Sequence, residues 1–185
     1  MNRNSSVHNI VTGALLAALV FVATCLSFPN GAGGYTHLGD AMIVLAVMFL
    51  GGKKGAVSAG LGAMLADIIL GYAVWAPVTL VSKAVMALVM GGILCLKIPG
   101  LGYRARWFAA VILSVLAETV LYSGAAFFLE GGIGASIAEA TGMVFQGGLA
   151  LIVGFILAEM LQKTPLRRMM TFHTQEDPEE KVQAQ

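Results

Sequence analysis

Six ionisable side chains, His37, Asp40, Asp67, Lys83, Glu118 and Glu139, stand inside or at the edge of long apolar runs. Charges in such surroundings are costly and mark a functional site by default. Carboxylates beside an amine can relay protons, act as acid and base, or hold a polar ligand. The parts for catalysis are missing. There is no HExxH, no GxSxG and no Cys/His cluster, and Gly51-Gly52-Lys53-Lys54-Gly55 lacks the spacing and the following Ser or Thr of a phosphate loop. The chain is therefore expected to hydrolyse no ATP, to hold no metal or cofactor and to have no catalytic residues. Tyr35, Tyr72 and Trp75 offer aromatic walls, and Gln146 lies about halfway along the last apolar run. Aromatic surfaces with a few placed polar groups suit a small heteroaromatic ligand.

The elements that must position these residues are membrane helices. Of 185 residues 58% are hydrophobic and 11% charged, with a mean hydropathy of +0.84. Soluble domains carry about 25% charged residues. The composition excludes a nucleic-acid binder, a secreted disulfide scaffold and a cytosolic enzyme. Cys25 and Cys95 read as small hydrophobes.

A bilayer needs roughly 20 apolar residues per helix. Six spans are expected, near 10–28, 39–51, 55–71, 77–96, 107–129 and 135–161, in one membrane domain covering 1–163. The first is too long in its apolar part to read as a cleaved signal. The second is short and follows a Gly-rich loop at 30–37, which is expected outside and dipping into the membrane. Residues 164–185 form a polar tail, expected to be cytoplasmic and disordered. With the N-terminus inside, ten of the eleven Lys and Arg residues fall on cytoplasmic segments, and Lys83 is the eleventh. Both termini are thus expected in the cytoplasm, in the cell membrane of the host.

On this topology Asp40 opens the second helix from outside, and Asp67 lies four residues before the outer end of the third. Lys83 is about 9 Å below Pro77 at helical rise. Glu139 is in the first outer turns of the last helix, and only Glu118 is near mid-membrane. The polar groups gather in the outer half, as around a cavity that opens outward. Structural readings stand beside this one. Asp67 and Lys83 can neutralise each other, Asp40 can answer a helix dipole, and Glu139 can be solvated. Tyr35, Tyr72 and Trp75 can belong to an interfacial belt, and Gln146 can bond between helices.

The first helix carries Gly13, Ala14, Ala17 and Ala18, whose four-residue spacing admits a close neighbour. Gly55, Ala59, Ala63, Asp67 and Gly71 repeat that spacing on the third and aim Asp67 along one ridge.

The stretch 35–40 (YTHLGD), Leu65-Ala66-Asp67 with Gly71-Tyr72, then Ala76-Pro77-Val78-Thr79 and Lys83, resembles the substrate-binding S components of energy-coupling factor (ECF) vitamin transporters. It is most similar to the hydroxymethylpyrimidine and pyridoxine branch, over residues 8–163. The resemblance implies a six-helix protein that captures a small vitamin from outside, beside a transmembrane coupling subunit and two ATPase subunits. It implies that Ala14 and Ala18 meet the coupling subunit. It also makes Tyr35, His37, Lys83, Glu118 and Gln146 candidates for the pocket, together with Asp40, Asp67 and Trp75 from the reading above. The alternative is an autonomous ion-coupled transporter of a small polar solute, with Glu118, Asp67 and Lys83 as a relay.

Overall fold

The computed structural model describes residues 3–29 and 35–172. Among the described residues the regular structure is helical apart from one two-stranded ribbon. Helix α1 spans Arg3–Cys25, and strands β1 (Ser27–Pro29) and β2 (Tyr35–His37) pair antiparallel after it, with Phe28 opposite Thr36. Then come α2 (Gly39–Leu70), α3 (Ala76–Cys95), α4 (Tyr103–Ala126) and α5 (Ile133–Gln162). A π turn over Phe127–Gly131 separates α4 from α5, and Pro165–Met169 form a short 3-10 helix. Among the described residues five helices are long and apolar enough to cross a membrane.

The count of six expected above differs because the second and third spans run together as α2 without a loop. They are separated only at Gly51, which has φ 75° and ψ 171°. That conformation is open to glycine and strained for other residues. The break folds α2 on itself: a Cβ placed on Gly55 would lie 3.1 Å from the Cα of Val47, eight residues back. In a straight helix those positions are about 12 Å apart. The arm 39–50 is about 18 Å long at helical rise, shorter than the roughly 30 Å hydrocarbon core.

The arm 39–50 is the centre of the molecule. Ala41, Ile43, Val44, Ala46, Val47 and Met48 on it are fully buried. Ile43, Val44, Val47 and Met48 pack with Val20, Met86, Met90, Trp107 and Val111 from the surrounding helices, and Ala46 packs with Leu16 of α1. Such burial is what lets a helix too short to span sit inside the bundle, screened from lipid. Small residues set the closest approaches. A methyl at Gly62 would overlap the Ala17 carbonyl oxygen of α1, and a Cβ at Gly60 would come within 2.8 Å of the Leu80 carbonyl oxygen of α3. The two small-residue pairs of α1 therefore part company. Ser58 of α2 donates to the Gly13 carbonyl at 3.0 Å, so the Gly13/Ala17 pair faces inward, while Ala14 and Ala18 are exposed.

The segment after α5 departs from the expected disordered tail over 164–172. Met170 is buried, and the Thr171 and Phe172 backbone N–H groups donate to the Met48 carbonyl at 2.7 and 3.0 Å. Thr171 Oγ1 adds a bond to the Phe49 carbonyl at 2.8 Å. These carbonyls lie in the last turn before the Gly51 break, where helix carbonyls are the ones in need of outside partners, and the returning strap supplies donors there. Residues 173–185 lie outside the described residues.

Candidate functional site

Helix periodicity places the polar residues in columns. On α3, Trp75 at the N-terminus, Thr79 and Lys83 are spaced by four and share a face; on α4, Glu118 and Tyr122 do the same. On α5, Ala135, Ala138, Glu139, Gly142, Met143 and Gln146 fall on one stripe. Asp40 stands in the first turn of α2 and Asp67 in its last. These faces converge at the end of the bundle where the ribbon lies.

The innermost layer is ionic. Lys83 is buried and its Nζ contacts Asp40 Oδ1 at 2.6 Å and Glu118 Oε1 on the other side. The ring of Tyr122 lies 5.4 Å from the ammonium. Asp40 Oδ2 accepts from Gln146 Nε2 at 2.7 Å. One ammonium thus joins α2, α3 and α4, and through Gln146 the arrangement reaches α5. Asp67 is not a partner of Lys83. It accepts instead from Thr79 Oγ1, which accepts in turn from the Tyr122 hydroxyl at 2.6 Å.

Above this layer is a cavity of about 320 Å³. It is walled by Tyr72, Trp75 and Tyr122, with His37, Asp67, Thr79, Gln146, Glu130 and Glu139 as its principal polar groups. Trp75 stacks on Tyr122 with ring centroids 5.7 Å apart and planes 18° from parallel. Among the described residues no Lys or Arg lines the cavity. The volume is at the small end of ligand sites, which run roughly 300–1,000 Å³.

His37 belongs to the ribbon side of the wall. Its Nδ1 accepts the Gly39 N–H at 3.2 Å, capping the start of α2. Burial, and after it the nearby Lys83 ammonium, lower the imidazole to about 4 against an opposing pull from Asp40. A neutral imidazole that accepts at Nδ1 carries its proton on Nε2, so this ring is a donor toward its surroundings.

Of the residues singled out from sequence, His37, Asp67, Trp75 and Gln146 border the cavity. Asp40, Lys83 and Glu118 stand one layer behind it, joined to each other. The side chain of Tyr35 and the loop 30–34 lie outside the described part of the structure. Glu139 and Tyr72 are on the wall as well. Thr24, Thr79, Tyr122 and Glu130 were not singled out. Thr79 and Tyr122 were within reach of sequence reasoning, since each is one helical turn from an ionisable residue already flagged. Thr24 carried no such signal, because its place on the wall depends on how α1 meets α2.

Ala14 lines a second, apolar groove between α1 and α2 with Gly13, Ala17, Leu50 and Leu61, and much of the remaining outer face of α1 is exposed hydrophobic surface.

The chain is similar to known proteins in two comparisons. A Pyrococcus woesei protein described as "Uncharacterized protein in gap 3'region" is 31% identical over 130 residues, which is 70% of this chain and 84% of the relative. The model of the family "ECF-type riboflavin transporter, S component" matches residues 4–163, taking in all five helices and the wall of the cavity. A helical membrane protein matched over that length belongs to the family of ECF-type riboflavin transporter S components.

Proposed function

We propose that this chain is the vitamin-capturing subunit of an ECF importer and that its ligand is a neutral or weakly basic heterocycle. Membership of the family makes it a membrane transport protein that binds a substrate, in a family that is not one of enzymes. The observation that carries the ligand class is the cavity wall. It offers Tyr72, Trp75 and Tyr122 for stacking and the acids Asp67, Glu130 and Glu139, with no cation lining it among the described residues. Lys83, the buried lysine nearest the cavity, is held between Asp40 and Glu118 behind the wall. A carboxylate or phosphate ligand would meet repulsion with no counter-charge. Pyridoxine or hydroxymethylpyrimidine suits this wall and the modest volume. Riboflavin is the second reading, favoured by the description of the family itself.

Capture requires no bond to be made or broken. The ring stacks on aromatics, its polar edge meets His37, Asp67 and Gln146, and water is excluded. We read the two arms of α2 as separate passes, the short first one completed by the ribbon side dipping into the membrane; on that reading six passes leave both termini in the cytoplasm of a prokaryotic plasma membrane and the cavity opens outward. The basic residues of the sequence support that orientation. Ala14 and Ala18, exposed on α1, face a transmembrane coupling subunit, and two ATPase subunits supply the energy. An autonomous ion-coupled transporter finds less support, because Lys83 and Glu118 are bonded to each other away from the wall.

The test is a fluorescence titration of the purified chain against a vitamin panel. Trp75 on the wall is the reporter; Trp107 is fully buried in the core and stays silent. Nanomolar quenching by pyridoxine, hydroxymethylpyrimidine or riboflavin, lost in Trp75→Phe, is the expected result. Absence of any response, or tight binding of an anionic vitamin, overturns the reading.

A further inference from the structure

The buried ionic layer does more than hold helices together, because it fixes the direction in which one amide faces. Asp40 is bonded to the Lys83 ammonium through Oδ1 and receives Gln146 through Oδ2. A carboxylate paired in this way only accepts, so Gln146 has to turn its nitrogen toward Asp40. Its oxygen then faces the other way. Gln146 borders the cavity, and its Oε1 is buried with no hydrogen-bond partner among the described residues. A buried acceptor without a donor is costly, and a ligand that supplies the donor removes the cost.

A second chain ends in the same sense. The Tyr122 hydroxyl donates to Thr79, and Thr79 donates to Asp67, leaving the other Asp67 oxygen on the wall. Both chains therefore arrive at the cavity as acceptors. His37, with its proton on Nε2, supplies a donor from the ribbon side.

We propose that Gln146 is the specificity-determining residue of this cavity, its Oε1 receiving an N–H or O–H of the captured heterocycle, with Asp40, Lys83 and Glu118 as the positioning residues that hold its amide in one orientation. The ligand class is thereby narrowed to heterocycles that present a donor, from a ring N–H, an exocyclic amine or a hydroxyl, toward α5. This rests on the vitamin-capture reading above. It predicts discrimination against analogues that keep the ring and lose the donor, because a site built to bond a hydrogen leaves its acceptor unpaired when that hydrogen is absent.

The experiment uses the full chain and three defined ligand pairs: hydroxymethylpyrimidine and its desamino analogue, pyridoxine and its phenol methyl ether, and riboflavin and its N-methylated imide. Affinities are measured for the wild type, Gln146→Leu, Gln146→Met and Asp40→Asn. The expected result is a wild-type loss of roughly 10- to 100-fold for the donor-deleted member of the pair that binds. That ratio should shrink to within about threefold in both Gln146 variants, and should fall in Asp40→Asn, where the amide is free to turn. A merely structural Gln146 would weaken both members of a pair equally, and this outcome overturns the assignment. Wild-type protein that binds both members of every pair equally overturns it too, even where a variant fails to fold. Wild-type protein that binds none of the three parents overturns the capture reading, and the assignment falls with it.

Discussion

Replacing Lys83 by Met tests whether the buried ionic layer is organised as described. Among the described residues Lys83 is the only cation in contact with Asp40 and Glu118, and all three side chains are within 2% of complete burial. Removing the shared partner leaves two carboxylates facing each other in the interior, where breaking a buried pair costs about 3–5 kcal/mol. Glu118→Gln is the informative comparison. In the wild type one ammonium stands against two carboxylates; with Gln at 118 it stands against one, Asp40, still 2.6 Å away. Removing the surplus acid should cost about 1 kcal/mol or less. The gap between the two variants is therefore about 2–4 kcal/mol by these figures, on the order of 10 °C in melting temperature for a chain of this size. Combining Lys83→Met with Asp40→Asn and Glu118→Gln should recover most of the loss, since no unpaired charge is then left buried. The assay is thermal unfolding of the purified, ligand-free chain in one detergent, followed by circular dichroism and by the emission of core Trp107. A Lys83→Met protein as stable as Glu118→Gln, or a triple variant no better than Lys83→Met alone, would refute the reasoning.

Three further outcomes follow from the geometry. The His37 imidazole titrates near 4 in the folded chain and near 6.5 when unfolded; the unfolded chain binds the proton first as pH falls, so stability is unaffected above about pH 6.5 and declines between 6.5 and 4. Ligand-free melting temperatures should drop less steeply over that window in His37→Gln than in the wild type, and parallel curves would count against a buried neutral imidazole. Gly62→Val should push α1 away from α2, because its Cβ would overlap the Ala17 carbonyl oxygen; a cost of about 1–3 kcal/mol is expected in the same melts, and an unchanged melt would mean that the two helices do not approach as described. Thr171→Val removes the hydroxyl bond to Phe49 while keeping the backbone bonds to Met48; it should lower stability by about 1 kcal/mol and speed hydrogen exchange near residues 48–52, and identical exchange would argue against the strap.

The sequence alone determined that the chain lives in a membrane, because apolar runs of bilayer length leave no other solvent for them. It marked the ionisable groups that stand within or beside such runs, of which Asp40, Lys83 and Glu118 are buried while His37, Asp67 and Glu139 are only partly so. Neighbours on one helix were legible too. Thr79 and Lys83, or Glu118 and Tyr122, are one turn apart whatever the helices around them do. The position of the α2 break was half legible: the Gly-Gly pair at 51–52 marked it, while the fusion of the two expected spans into one run did not show in composition.

What the sequence left open was every choice between helices. Lys83 had Asp67 as its nearest acid in sequence among the buried groups, yet it pairs with Asp40 and Glu118, 43 and 35 residues away. Asp67 goes to Thr79 instead. Likewise the equal spacing of Gly13/Ala17 and Ala14/Ala18 gave no reason to separate them, and the rotation of α1 against Gly62 turned one pair inward and left the other exposed. The physical reason is the same in both cases. Helical periodicity fixes which residues share a face, but the rotation and depth of each helix come from the fit of small and large side chains across the bundle, and that fit is a property of the assembled structure.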